Sequence, residues 1–178
     1  RMGGFMIAEV ARHLKEQKIE LPFTLYVVNS VQEEIGLRGA EMISRRLAPD
    51  VAIVTDVTHD TYSPMYNKKL QGDTKCGKGP VVTYGPAVQN NLLQFIINTA
   101  NESKIDFQRN AVSRSTGTDT DSFAYSSTGV ASALISLPLK YMHTTVEMVH
   151  KDDIEGCIQL MLASIKNLKE GQTFDYHS

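Results

Sequence analysis

The chain has 178 residues, 42% of them hydrophobic, which is enough to bury the core of one globular domain. Its formal net charge of -2 and its scattered Lys and Arg residues give no electrostatic basis for a nucleic-acid or anionic-membrane partner. No run approaches the roughly 18 to 20 apolar residues of a membrane span. Cys76 and Cys157 lack the short spacing of a structural zinc site, which indicates two reduced thiols in a cytoplasmic protein.

The apolar pattern predicts helices that alternate with strands. Apolar residues recur at helical spacing from Phe5 to Leu14 and predict a first helix, and the β-rich run Phe23–Ser30, with Val27 and Val28, predicts a buried strand. The other predicted elements are helices over Gly39–Leu47, Asn90–Glu102 and Ile154–Leu168, strands over Val51–Val54 (finishing at Asp56), Val81–Tyr84, Asp106–Val112 and Ala133–Leu137 (closed by Pro138), and a long irregular excursion over Thr58–Gly79. This alternation predicts an α/β three-layer sandwich, in which helices flank a mainly parallel mixed sheet.

Polar side chains follow three of the predicted strands. Glu33 and Glu34 come after the first strand and before a glycine-punctuated turn, Asp56 ends the second, and His143 follows the last. Loops at the carboxyl ends of parallel strands carry the chemistry of α/β proteins. Carboxylate and imidazole ligands from separate strand ends, with a carboxylate base beside them, are what a hydrolytic two-metal site requires.

Each of these residues also has a structural interpretation. The Glu pair would suit a solvated turn, and Asp56 would suit hydrogen bonding at a strand end. Asp119 and Asp121 follow a glycine and could cap a helix that begins there. The run Gly77-Lys78-Gly79-Pro80 lacks the spacing of a phosphate-binding loop and predicts a turn.

Five motifs follow one another as in the deblocking, glutamyl and tetrahedral aminopeptidases. They are Gln32-Glu33-Glu34-Ile35-Gly36-Leu37-Arg38-Gly39-Ala40, Asp56-Val57-Thr58, Gly77-Lys78-Gly79-Pro80, Gly117-Thr118-Asp119, and Pro138-Leu139-Lys140-Tyr141-Met142-His143-Thr144. The chain resembles this family over nearly its whole length. The resemblance implies a zinc-peptidase-like fold, and it implies peptides as substrates and a homo-oligomer in the full-length protein.

The resemblance also implies a role for each site residue. Glu33 would be the general base that takes a proton from water, Glu34 and His143 would bind one divalent metal, and Asp56 would bind a second. Asp119 would support the site. His59 is assigned by position instead: it follows Asp56 by three residues, so it could face the same cleft and contact substrate or a metal ligand. The family uses zinc or cobalt, and carboxylate and imidazole ligands suit manganese as well.

Three departures from the family pattern are visible. The chain begins after the family's metal-bridging Asp, with Arg1-Met2-Gly3 resembling the segment that follows it, and the amino-terminal metal His and the inserted assembly domain have no counterpart. The resemblance therefore implies that residues 1–178 are the carboxyl-terminal portion of one catalytic domain, incomplete at the N-terminus and inactive alone. Lys140 stands where the family usually has Arg, so a compact ammonium replaces a bidentate fork.

Two other function classes compete with a metal-dependent aminopeptidase. A glycoside hydrolase would use Glu33 and Glu34 as its paired carboxylates, but the chain has no Trp to stack on a sugar, and a retaining pair should lie about 5 Å apart across the substrate. A degenerate relative would survive only as a binding or assembly module. The intact set of Glu33, Glu34, Asp56 and His143 favours an enzyme.

Overall fold

The computed structural model describes residues 2–64, 66–126 and 129–176. Arg1, part of the segment that resembles the family's Arg-x-Gly, lies outside these residues. The helices are α1 (Met2–Glu16), α2 (Arg38–Leu47), α3 (Lys68–Gln71), α4 (Asn90–Glu102), α5 (Asp119–Ala124) and α6 (Lys151–Asn167), and the strands are β1 (Val51–His59), β2 (Val81–Tyr84), β3 (Gln108–Ala111), β4 (Ala131–Lys140) and β5 (Met148–Val149). In the described part of the chain, no helix is long and apolar enough to cross a membrane.

The five strands form one mixed sheet. Its order is β1-β4-β2-β3, and β5 adds to β4. β1 runs parallel to β4 and β2 parallel to β3, whereas β4 is antiparallel to both β2 and β5. The predicted α/β class with a mixed sheet is therefore confirmed, but parallel pairing does not predominate among the described strands, since two pairings are parallel and two are antiparallel.

β4 lies at the centre of the molecule. Every residue from 132 to 139 is buried, so both faces of this strand are covered. On one face α1, α4 and α6 pack together around a core that includes Met6, Leu92 and Leu160. α2 and α5 form a second group, in which α5 packs against β1 and β4. The two groups are the outer layers of a three-layer sandwich.

The predicted buried strand over Phe23–Ser30 is wrong. The segment is extended, but no backbone hydrogen bond joins it to another strand within the described residues. Phe23 and Leu25 pack against the core, whereas Val27 is 47% exposed. Alternating apolar residues produce an extended chain with one face on the core, but a ladder also needs a neighbouring strand, which the local pattern does not report.

Two predicted strand ends are also wrong. β1 continues to His59, so Asp56 lies inside the strand rather than at its end. β4 continues through Pro138, which pairs in register with Thr58. On its other edge β4 registers with β2 up to Ser136 and with β5 from Leu139, so the missing N–H of Pro138 falls between two ladders.

The turn predicted at Gly77-Lys78-Gly79-Pro80 is confirmed and is held by α6. Asp153 is fully buried, and its two carboxylate oxygens accept hydrogen bonds from the backbone N–H groups of Gly77 (2.6 Å) and Gly79 (2.7 Å). A Cβ at residue 79 would lie 2.2 Å from the Asp106 carbonyl oxygen, and the residue has a φ of +88°. Only glycine therefore fits at this position.

Candidate active site

The residues Val31–Gly39 form a tight loop that carries Glu33 and Glu34. The N–H groups of Gly36 and Leu37 both donate to the Glu33 carbonyl, at 3.1 and 3.0 Å, and the N–H of Gly39 donates to the Val31 carbonyl at 2.9 Å. A Cβ at residue 39 would lie 2.4 Å from the Val31 carbonyl oxygen, so the chain closes on itself here because residue 39 is glycine. The segment predicted to carry site residues is thus a compact turn that leads directly into α2.

Glu33 is half-buried within a group of negative charges. Burial, together with the carboxylates of Asp56, Glu34 and Asp119, raises the pKa of its carboxyl to about 7, whereas His143 opposes the rise. A carboxyl with this pKa is matched to proton transfer near neutral pH. The charges that act on Glu33 belong to Asp56, Glu34, Asp119 and His143, so the structure brings all of these predicted site residues within electrostatic range of Glu33.

Glu34 and His143 meet although they are far apart in the sequence. The Nε2 atom of His143 lies 3.4 Å from Oε2 of Glu34, and both side chains are exposed. His143 has a φ of 60°, and its backbone N–H donates to the Glu147 carboxylate at 2.7 Å. The turn after β4 therefore presents an imidazole to the second carboxylate of the loop.

Asp56 lies on β1, beside the central strand. Burial raises the pKa of its carboxyl, although the Val57 N–H donates to Oδ1 at 2.7 Å and lowers it. The carboxylates of Asp119 and Glu34 also raise this pKa. Asp56 is thus a partly buried acid whose neighbours are mostly other acids.

Asp119 is the first residue of α5 and faces the same group. Its Oδ2 atom accepts a hydrogen bond from the Ser30 hydroxyl, and its Oδ1 atom is buried without a hydrogen-bond partner in the structure. The alternative that Asp119 caps α5 is wrong, since the cap is Thr118, whose hydroxyl accepts from the Thr120 N–H. Asp121 holds the preceding loop instead, by accepting from the N–H groups of Thr116 and Gly117.

His59 ends β1 on the side of His143. Its Nδ1 atom lies 2.6 Å from the Tyr66 hydroxyl, and the two rings are 4.8 Å apart. Burial lowers the pKa of His59, and His143 lowers it further. Tyr66 comes from the excursion after β1, and nothing in its local sequence marks it as a partner of His59.

The oxygen and nitrogen atoms of these side chains are of the kinds that bind a divalent cation. Four carboxylates face one imidazole, and the buried Oδ1 of Asp119 has no donor. Oxygen and nitrogen donors of this kind suit zinc and related metals. However, among the described residues no three His, Cys, Asp or Glu side chains lie close enough together to hold a metal ion. The residues present therefore fit the metal in type and charge, but they do not form a closed ligand set by themselves.

Asp60 directly follows β1, and the sequence did not predict a role for it. It is fully buried, and its carboxylate accepts from the N–H groups of Tyr62 (2.7 Å) and Cys76 (2.9 Å). The Nζ atom of Lys140 lies 3.9 Å from Oδ2 of Asp60. Burial opposes the ionised form, but the hydrogen bonds from Cys76 and Tyr62 and the charge of Lys140 hold the pKa of Asp60 below its usual value. Lys140 thus lies beside a buried anion of the scaffold.

A cavity of about 610 Å³ lies away from these residues. It is lined by the Gly77–Gly79 turn, the start of β3 and the first turns of α6, and it contains no predicted site residue. We therefore take the acidic cluster as the candidate active site; its members are Glu33, Glu34, Asp56, Asp119 and His143.

The fold and this site define an α/β protein with carboxylates and an imidazole at one sheet edge, an arrangement typical of metal-assisted hydrolases. The chain belongs to the M42 glutamyl aminopeptidase family, whose model matches residues 1–160. The resemblance found in the motifs is thereby confirmed.

Individual relatives that match the chain are also named as aminopeptidases. The chain is 38% identical over 169 residues to a lysyl aminopeptidase of Pyrococcus furiosus, a match that covers 95% of this chain and 47% of the relative. It is similar in structure to a TET aminopeptidase of the Thaumarchaeota archaeon SCGC AB-539-E09, with a TM-score of 0.88, 34% identity, and coverage of 96% and 48% of the two chains.

A third match is the TET1 peptidase of Pyrococcus horikoshii, which can assemble into a tetrahedron or a large octahedral shell. It has a TM-score of 0.65 and 28% identity, and the match covers 78% of this chain and 40% of that one. The chain spans about half the length of the curated relatives it matches.

Proposed function

We propose that the intact protein is a metal-dependent aminopeptidase and that residues 1–178 supply the general base and part of its metal ligands. The observation that carries this proposal is the cluster of Glu33, Asp56 and the Glu34–His143 pair, in which Nε2 of His143 lies 3.4 Å from Oε2 of Glu34. Burial and the neighbouring carboxylates raise the pKa of Glu33 toward neutral pH, where a carboxyl can both take up and release a proton. Family membership supports peptide substrates.

In this proposal, Glu34 and His143 hold one divalent cation and Asp56 holds a second, with the remaining ligands supplied from outside the residues described. When bound, such cations polarise the scissile carbonyl and increase the acidity of water. Zinc, cobalt and manganese all suit these donors. Glu33 takes the proton from the attacking water and delivers it to the leaving amine.

Asp119 and His59 have supporting roles. The Asp119 carboxylate strengthens the negative field at Asp56 and Glu33, which favours cation binding. The Tyr66 hydroxyl fixes the ring of His59 through Nδ1, which leaves Nε2 as the atom that meets substrate.

The test is hydrolysis of a panel of aminoacyl-p-nitroanilides by the intact protein, with and without Co²⁺ or Zn²⁺. We expect metal-dependent turnover that falls about 10²- to 10⁴-fold in Glu33→Gln, because the amide cannot accept the proton. Glu102→Gln, at the end of α4, is the matched control and should keep wild-type turnover. A folded, metal-loaded protein that hydrolyses no substrate would instead favour a binding module, and turnover of aryl glycosides alone would favour a glycosidase.

We also propose that the intact protein is a homo-oligomer in the cytoplasm. The assembly of the Pyrococcus horikoshii relative supports the first part, and the unpaired thiols of Cys76 and Cys157 support the second. Light scattering on the purified intact protein tests the oligomer, since a monomeric mass at micromolar concentration would contradict it.

A further inference from the structure

The loop that carries Glu33 contains strained backbone. Gln32 and Leu37 have φ values of 60° and 56°, in the left-handed region that non-glycine residues rarely adopt. Backbone of this kind persists only where the surrounding structure fixes it in more than one way. The internal hydrogen bonds from Gly36 and Leu37 to the Glu33 carbonyl close the turn, but they do not attach it to the rest of the protein.

α5 attaches the loop at both ends. The Asp119 carboxylate accepts a hydrogen bond from the Ser30 hydroxyl just before the loop, and the Ser122 hydroxyl donates to the Leu37 carbonyl, at 3.4 Å, as the loop enters α2. Residues three apart lie on the same face of a helix, so Asp119 and Ser122 form one contact surface. The Glu33–Glu34 turn is thus held between two points on a single helix.

α5 is itself fixed without these contacts. Thr118 caps it, Asp121 ties the preceding loop to it, and the helix packs against β1 and β4. Asp119 and Ser122 are therefore not needed to build the helix. Their side-chain oxygens instead make hydrogen bonds with Ser30 and Leu37, at the two ends of the loop.

We propose that α5 is a brace for the catalytic base, with Ser30, Asp119 and Ser122 as positioning residues for Glu33. This inference rests on the proposed function of Glu33 as base. The two contacts hold the strained turn in one conformation and so keep the Glu33 carboxylate at a fixed place relative to Asp56 and His143. A misplacement of a reacting group by about 1 Å lowers a rate about 10²-fold.

The test uses Ser30→Ala and Ser122→Ala in the intact, metal-loaded protein. We expect kcat to fall about 10- to 100-fold in Ser30→Ala, whose hydroxyl bonds to a carboxylate, and less in Ser122→Ala, whose hydroxyl bonds to a neutral carbonyl at 3.4 Å, with KM within about twofold of wild type. Ser30→Thr keeps a hydroxyl and should restore most of kcat. Ser44→Ala removes a buried hydroxyl that bonds only within α2, and it should keep wild-type kcat.

Hydrogen exchange gives a second readout, independent of turnover. The amides of Gly36 and Leu37 should exchange faster in Ser30→Ala than in wild type or Ser44→Ala, while amides of α6 should not change. Wild-type kcat together with wild-type exchange in both alanine variants would overturn the brace. If wild type hydrolyses no substrate, the aminopeptidase proposal fails, and the exchange rates still decide whether α5 holds the loop.

Discussion

Two sets of acidic residues in this chain are treated in opposite ways by the fold. Asp60 and Asp153 are completely buried, yet each accepts two backbone N–H hydrogen bonds from loops. Glu33 and Asp56 are less buried, yet their neighbours are mainly other carboxylates, and their pKa values are raised. Burial alone therefore does not distinguish the two sets.

The distinction is whether the fold supplies donors. A carboxylate that accepts two or three N–H hydrogen bonds is satisfied inside the protein and stabilises the loops that donate. Carboxylates that face one another destabilise the folded chain until a proton or a cation arrives. The first set thus belongs to the scaffold, and the second set carries negative charge that the proposed cations would neutralise.

The largest expected effect is on the scaffold set. Asp153→Ala leaves the N–H groups of Gly77 and Gly79 without an acceptor in a buried place, and it should lower the free energy of unfolding by about 3 kcal/mol. Urea denaturation measures this change. Asp152→Ala, its exposed neighbour, is the control and should lie within about 0.5 kcal/mol of wild type. Equal stabilities for the two variants would show that the hydrogen bonds to Asp153 do not stabilise the scaffold.

The next effect is metal binding at the candidate active site, to which Glu34 belongs with Glu33 and Asp56. Zn²⁺ at about 100 times its Kd should raise the free energy of unfolding of the intact protein by about 2.7 kcal/mol, reversibly with EDTA. Glu34→Gln should lose most of this gain, because it removes a charged oxygen beside His143. Glu41→Gln, which alters an exposed ion pair with Arg45 on α2, should keep it. Equal stabilisation of both variants would contradict the ligand role of Glu34.

The smallest effect is the pH dependence of stability in metal-free protein. The raised pKa of Glu33 means that the folded state binds this proton more firmly than the unfolded state. The contribution is complete below about pH 4.5 and is lost as the pH rises through about 7. Glu33→Gln should therefore be more stable than wild type by about 1 kcal/mol at pH 8, after allowance for partial exposure, and the difference should shrink toward pH 5. A difference that is constant with pH would contradict the raised pKa.

The sequence predicted those parts of the fold that depend on local periodicity. α4 and β2 have the predicted bounds, and α2 and α6 differ from theirs by a few residues, because helical spacing and short apolar runs report which face is buried. The α/β class followed from the alternation of these elements. The proximity of Glu33, Glu34, Asp56 and His143 was expected from the resemblance of the motifs and from predicted strand ends, although the strand before Glu33 does not form and Asp56 lies inside β1. The roles of these residues stay predictions.

The features that the sequence did not predict depend on contacts between residues that are far apart in the chain. Ser30 meets Asp119 across 89 positions, and Asp153 reaches Gly77 across 76, and no local pattern encodes such pairs. The failed strand over Phe23–Ser30 has the same cause, since its composition is that of a strand but its pairing depends on a neighbour elsewhere. Asp119 and Asp121 lie two residues apart, and only the fold shows that one faces the site while the other holds a loop.

The extended segment over residues 23–31 affects how the 178-residue chain behaves at high concentration. Its backbone has no ladder partner within the described residues, and two of its own side chains, Tyr26 and Val31, are 58% and 65% exposed. An unpaired, apolar ribbon is a template on which any other extended polypeptide can add. Samples of this chain alone should therefore form aggregates with a cross-β spacing as concentration rises, and Tyr26→Lys or Val31→Lys should suppress them.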